Sequence, residues 1–318
     1  MKYMARAPGT CGELIQGLWN GVNFLVTCPI NMYSTAVVEL SPDMDELILP
    51  AGREKTAAAV RKLLSSVEAD GIGGYVHITS DLPAGKGMAS STADITAACV
   101  AVAQALGKKV PAGEIARIAL SVEPTDGLMF PGIVAFDHLR GKICRPMAGV
   151  PDLDILIIDP GGIVDTNEFN ARLNLKFLNR INERTVMQAL EQLEWALAQG
   201  DLKMVGACAT TSAYANQKIL EKPLLAELHK VCTDFGGVGV NVAHSGTVIG
   251  MLFERRNSVD WEKLKNTVLS LFDVQVMGPV RVIQGGAEIW VEREGEGLWQ
   301  PYHICMEETC EQQQKSME

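Results

Sequence analysis

Hydrophobic and polar residues alternate from Tyr75 to Ser80, with Val76 and Ile78 on one face, and this period of two predicts a β-strand. The β-branched run Tyr33 to Leu40 predicts another. Between them, Lys55 to Val67 carries apolar residues at helical spacing. Ala89 to Leu106 predicts a long, Ala-rich helix ending at Gly107, and Pro111 to Val122 a further helix with proline at its first position. Two loops punctuated by Pro and Gly, Asp81 to Gly87 and Glu123 to Gly132, separate these elements.

A second unit begins near Pro151. Leu153 to Ile158 is a buried-strand run closed by Asp159-Pro160-Gly161-Gly162. Helical patterns follow at Leu178 to Ala198, Leu202 to Ala215 and Leu224 to Asp234. Val238 to Val242 and Val248 to Phe253 read as strands around His244-Ser245-Gly246. Trp261 to Leu271 predicts a helix, and Val280 to Ile283 and Ala287 to Val291 predict strands. The strands and helices interleave without regular βαβ alternation. The expected fold class is therefore α+β, with helices on one face of antiparallel sheets. The division expected is a domain over 1–150, a second over 151–305, and a polar tail over 306–318.

The length of 318 residues exceeds one ordinary core and suits two packed domains. Hydrophobic residues make up 47% and charged residues 21%, a globular composition. A formal net charge of -10 argues against a nucleic-acid partner, which asks for a basic face. It leaves room for an anionic ligand held by backbone N–H groups. No stretch approaches the roughly 20 apolar residues of a membrane span, and Met1 to Ala7 lacks the pattern of a signal peptide, so a cytoplasmic protein with no membrane partner is expected. The eight cysteines form no Cys-x-x-Cys pair and read as reduced thiols. No oligomeric state follows from the chain.

The informative segment is Pro83-Ala84-Gly85-Lys86-Gly87-Met88-Ala89-Ser90-Ser91-Thr92-Ala93, a glycine-bearing loop that runs straight into a helix. Gly85 and Gly87 permit a tight turn and close backbone approach to a ligand. The free N–H groups and positive dipole end of the helix suit a di- or triphosphate. Ser90, Ser91 and Thr92 add hydroxyls for phosphate oxygens or a magnesium ion. The plainer reading of such a start is a good N-cap. No Gly-x-x-x-x-Gly-Lys-[Ser/Thr] occurs, so this is not a P-loop.

The segment resembles the phosphate-binding signature of the GHMP kinases, Pro-x-x-x-Gly-Leu-[Gly/Ala]-Ser-Ser-Ala. It matches at Pro83, Gly87, Ala89, Ser90, Ser91 and Ala93, with Met88 for Leu and Thr92 for Ala. Ala7 to Gly17 resembles the N-terminal motif near the family's acceptor substrate, with Thr10 where relatives often carry lysine. Glu123-Pro124-Thr125-Asp126-Gly127 resembles the loop bearing the catalytic aspartate. Gly236-Gly237-Val238-Gly239 and His244-Ser245-Gly246-Thr247 approximate the family's C-terminal Gly-rich turn. The resemblance implies a two-domain fold, ribosomal-S5-domain-2-like and then ferredoxin-like, with ATP and Mg2+ between the domains.

It further implies Ser90 or Ser91 and Glu123 as magnesium ligands, and Asp126 as the group that orients or deprotonates the acceptor hydroxyl; the plainer role of Asp126 is to form a turn. Lys86 reads either as a charge on the transferring group or as a solvated loop lysine. The segments Cys11 to Gly17 and Cys28 to Ser34, with the Asp126 loop, most resemble the bacterial L-threonine kinases of cobalamin synthesis. The substrate implied is L-threonine, a zwitterion whose ammonium Glu13 could meet and whose carboxylate Gln16, Ser34 or His244 could meet. Two alternatives stay open. One is a related kinase for L-homoserine or a small alcohol, and the other is a non-catalytic nucleotide- or metabolite-binding relative.

Overall fold

In the computed structural model, which describes residues 1–292 and 299–301, the chain opens with a long hairpin. Strands β1 (Lys2–Trp19) and β2 (Val22–Leu40) pair antiparallel from Lys2↔Glu39 to Trp19↔Val22. Their turn is Asn20-Gly21, both at positive φ, as a two-residue hairpin turn demands. There follow β3 (Leu47–Ile48), α1 (Glu54–Ser66), β4 (Gly74–Ser80), α2 (Ser90–Ala105), α3 (Ala112–Leu120), β5 (Val134–Phe136) and β6 (Cys144–Pro146). Next come β7 (Leu153–Asp159), α4 (Thr166–Asn170), α5 (Leu175–Gln199), α6 (Leu202–Asn216) and α7 (Leu225–Asp234). The chain continues through β8 (Gly239–Val242), β9 (Ile249–Glu254), α8 (Trp261–Leu271), β10 (Gln275–Arg281), β11 (Glu288–Glu292) and β12 (Trp299–Pro301).

The strands join into one sheet with the path β10-β7-β9-β8-β1-β2-β4-β3. All pairings along it are antiparallel except β3 with β4. Strand β1 links the two halves of the chain. Its first residues pair with β11, and Glu13 pairs with Val242 of β8. The core follows the sheet, with Phe24, Ile95 and Ile118 from the first half in one cluster with Ile155, Leu190 and Val205 from the second.

Helix α2 is buried almost all round, from Thr92 to Ala103. Its small side chains let it lie against β1 and β2 on one side while α1 packs on another. Helix α5 buries Val186, Ala189, Leu190, Leu193, Ala196 and Leu197, the stripe its spacing predicts. It ends at Gly200 in the left-handed region, and the Asp201 carboxylate then caps α6 by accepting from Met204 N–H.

The structure differs from expectation at a few places. Pro111 is the N-cap of α3 rather than its first residue, in an extended conformation. The strand expected over Val280 to Ile283 runs Gln275–Arg281, with a register shift between Met277 and Val280, because Pro279 has no N–H to give the ladder. Cys11, Cys28, Cys99, Cys208 and Cys232 are buried free thiols, whereas Cys144 is disulfide-bonded, which its scattered place in the sequence did not signal. Cys305, Cys310 and the tail 306–318 lie outside the described residues.

Candidate active site

The loop between β4 and α2 is the backbone centre of the site. Gly85, Gly87 and Ala89 have φ of 72°, 80° and 55°, left-handed values that an alanine adopts only when its surroundings hold it there. Ala89 is the N-cap of α2, and no side chain caps the helix or brings acid to its first turn. The N–H groups of that turn and the helix dipole therefore remain available to an anion.

The second half of the chain braces this loop. Lys86 O accepts from Thr247 N–H at 3.0 Å, and Gly85 O accepts from Val164 N–H at 3.3 Å. The Lys86 ammonium pairs with Asp159 at 2.7 Å and donates to Gly162 O at 2.8 Å. Burial alone would raise the Asp159 carboxyl, but hydrogen bonds from Lys86, Thr247 and Gly161 N–H outweigh it and hold the group below its usual value. Lys86 is thus a tether rather than a solvated loop lysine. From below, Lys222 is buried and donates to Gly246 O at 2.7 Å, and burial pulls its ammonium down to about 7.

A cleft of about 280 Å³ lies over the loop, lined by Ala84, Gly85 and Gly87 through Thr92. Glu13, Asp126, His138 and His244 line it as well. Glu13 projects from β1 where the register with β2 shifts on either side of it, next to Gly12 at φ 57°. It is 3% exposed, and its Oε2 has no partner. Burial first, and the Asp126 charge second, push its carboxyl well above the usual range. Asp126 follows Thr125, whose hydroxyl donates to Thr92 Oγ1 at 3.0 Å and whose N–H donates to His138 O at 2.9 Å. Burial, then the nearby Glu123 charge, pushes the Asp126 carboxyl up to about 7.

Glu123 also lines the cleft. Ser91 Oγ donates to its Oε1, and the Lys55 ammonium pairs with its Oε2. His244 is fixed from behind. The Gln16 amide donates to Val242 O at 3.2 Å, which turns its oxygen toward His244 Nδ1 at 2.9 Å. That arrangement places the proton on Nδ1 and leaves Nε2, buried without a partner, as an acceptor. The ring of His138 stands edge-on to His244 at 4.8 Å. Burial lowers both imidazoles, His138 to about 4 and His244 well below its usual value, so both are neutral at pH 7.

Most residues singled out in the sequence meet here. Pro83, Lys86 and Ala93 do not line the cleft; they support the loop and helix that do. Gln16 reaches it only through His244. Ser34 lies elsewhere, donating to Asp94 of α2, whose other oxygen pairs with Arg53. Sequence reasoning missed Lys55, His138 and Lys222. Lys55 opens an ordinary amphipathic helix and gives no local signal, and the two others come from remote segments.

A family model described as GHMP kinases N terminal domain matches residues 54–130, which include the loop and Asp126. One described as GHMP kinases C terminal matches residues 193–266. An L-threonine kinase of Citrobacter freundii is 32% identical over 295 residues, spanning 90% of this chain and 99% of the relative. One from Salmonella typhimurium is 32% identical over 256 residues, spanning 80% and 83%. The crystal structure of a homoserine kinase from Cytophaga hutchinsonii superposes with a TM-score of 0.70 over 91% of this chain and 97% of that one. At 15% identity this last likeness shows the two-domain fold alone.

Proposed function

The chain belongs to the GHMP kinase family, and from that premise we propose that it transfers the γ-phosphoryl group of ATP to the side-chain hydroxyl of L-threonine, giving O-phospho-L-threonine and ADP. The observation that carries the reading is one cleft lined both by an uncapped helix N-terminus and by Glu13 with Asp126 near it. Phosphoryl transfer asks for position and charge, which these lining groups supply. The phosphates rest on the Gly85 to Thr92 backbone. The ammonium of threonine meets Glu13 Oε2 and His244 Nε2, two buried acceptor atoms without a partner among the described residues; as an acceptor, His244 Nε2 suits the ammonium and not the carboxylate expected for it from the sequence. Asp126 orients the hydroxyl and takes its proton.

Ser91 and Glu123 present only oxygen donors, and magnesium typically takes one or two carboxylates, leaving its remaining positions to phosphate and water. Their convergence fits that ion. Held there by Ser91 and Glu123, it would supply positive charge against the phosphates of the nucleotide. No described helix is long and apolar enough to cross a membrane. We place the reaction in the cytoplasm, at the formation of the aminopropanol linker of cobalamin.

Phosphorus NMR of the products from ATP with threonine, serine, homoserine or mevalonate tests the assignment. Threonine is expected to react best. Serine, lacking the β-methyl contact, should fall by about 10–200-fold in kcat/KM. Homoserine turning over faster than threonine would move the assignment to homoserine and leave the kinase standing.

A further inference from the structure

A side-chain cation beside the metal stabilises the charge on a transferring phosphoryl group. Three positions suggest themselves, and the fold takes each away from the cleft. The position where the resemblance would put a lysine holds Thr10, which is buried, with its N–H donating to Met88 O at 3.1 Å. Lys86 is held by Asp159 and Gly162 O. Lys222 lies beneath the Gly246 carbonyl. Among the described residues, Lys55 is the one lysine or arginine that lines the cleft. It enters from the first turn of α1, its side chain is 47% exposed, and its ammonium pairs with Glu123 beside Ser91.

We propose that Lys55 is a catalytic residue, whose ammonium leaves Glu123 when nucleotide and metal arrive and binds the non-bridging oxygens of the γ-phosphoryl group. The inference rests on the kinase reading above. In the nucleotide-free protein the ammonium neutralises Glu123, a buried carboxylate that would otherwise stand without a cation. A metal on Glu123 relieves it of that duty, and a half-exposed four-carbon stem leaves it free to swing. In the transfer step, the threonine oxygen bonds to Pγ as the bond from Pγ to the bridging oxygen of ADP breaks. The hydroxyl proton goes to Asp126, and the electron pair of the broken bond stays on ADP. Lys55 keeps its protons and holds the charge on the equatorial oxygens.

The experiment uses the whole chain with Lys55→Met, Lys55→Gln and Lys55→Arg, each checked for folding by thermal melting. Calorimetry with magnesium-ATP and magnesium-ADP, without acceptor, reads the contact. Lys55→Met and Lys55→Gln are expected to lose about tenfold in ATP affinity and less than about threefold in ADP affinity, with Lys55→Arg close to the parent. At saturating magnesium, kcat should fall about 10²-fold or more. A residue that merely neutralises Glu123 gives another pattern. The loss would be equal for ATP and ADP, or excess magnesium would restore kcat, and either result overturns the assignment. The calorimetric comparison needs no acceptor. A parent protein that binds ATP but leaves threonine untouched therefore refutes the substrate reading, while the ATP–ADP difference still decides on Lys55. A parent protein without ATP affinity overturns both.

Discussion

Gly87 and Gly246 touch backbone to backbone: a Cβ on Gly87 would stand 2.8 Å from Gly246 Cα, and a Cβ on Gly246 would stand 2.3 Å from Gly87 Cα. Neither position tolerates a side chain, and Gly87 also needs its φ of 80°. This contact is where the C-terminal half of the chain sets the shape of the phosphate loop. Gly87→Ala and Gly246→Ala should each raise the ATP dissociation constant by roughly tenfold or more, because the loop must move to admit a methyl group. Gly107, at φ 64° with nothing within 4 Å, provides the control. Gly107→Ala incurs only the cost of a left-handed backbone, so it should lower Tm slightly and leave ATP binding unchanged.

Asp126→Asn should lower kcat by about 10²-fold or more while ATP affinity holds. Full kcat in this variant would reduce Asp126 to a turn residue. The base acts only when ionised, so kcat/KM of the parent should rise with pH through about 7. Stability should run the other way. The carboxyl loses its proton near 3.8 in the unfolded chain and near 7 in the folded one, so between these values stability falls as pH rises. Asp126→Asn removes that dependence and should melt higher than the parent at pH 8, by roughly 2–4 °C per kcal/mol regained.

Glu13→Gln keeps the shape of the side chain and removes the charge that answers the substrate ammonium. The expected result is a KM for threonine raised by roughly 10–100-fold, with ATP affinity unchanged by calorimetry. An unchanged KM would exclude Glu13 from substrate binding.

Lys222 gives a second pH signature. Its ammonium is held to about 7 in the folded protein and 10.5 in the unfolded chain. Between those values the unfolded chain binds more protons, and this group makes stability rise with pH. Denaturant unfolding of Lys222→Met against the parent, from pH 7 to 10, should show the variant losing that rise. Parallel curves for the two proteins would mean that Lys222 stays charged in its buried position.

Much of this was legible in the chain. The strand at β4, the loop and the start of α2 follow from Val76, Ile78 and the Gly85 to Ser91 pattern, because each rests on local backbone preference. Asn20-Gly21 marks the first hairpin just as locally, yet β1 gives no alternation to read. Its bulges and its burial on both faces around Gly9 to Leu14 erase the period of two. The pairing of Lys55 with Glu123 had no signal at all, since 68 residues separate them and only the packing of α1 beside α2 and the end of α3 brings them together. Gln16 could be chosen as a candidate, but its task of orienting His244 depends on a carbonyl in β8.

The unbroken sheet has a mechanical meaning. Strand β1 is hydrogen-bonded to β11 at its start and to β8 further along, and both partners come from the far half of the chain. Neither half can shed its strands without exposing a row of unpaired peptide groups in the other. Heating should therefore melt the molecule in a single cooperative transition. A chain severed near residue 150 and kept under reducing conditions, so that no disulfide from Cys144 can join the pieces, should stay assembled as a pair of fragments, each insoluble or unstructured when made alone.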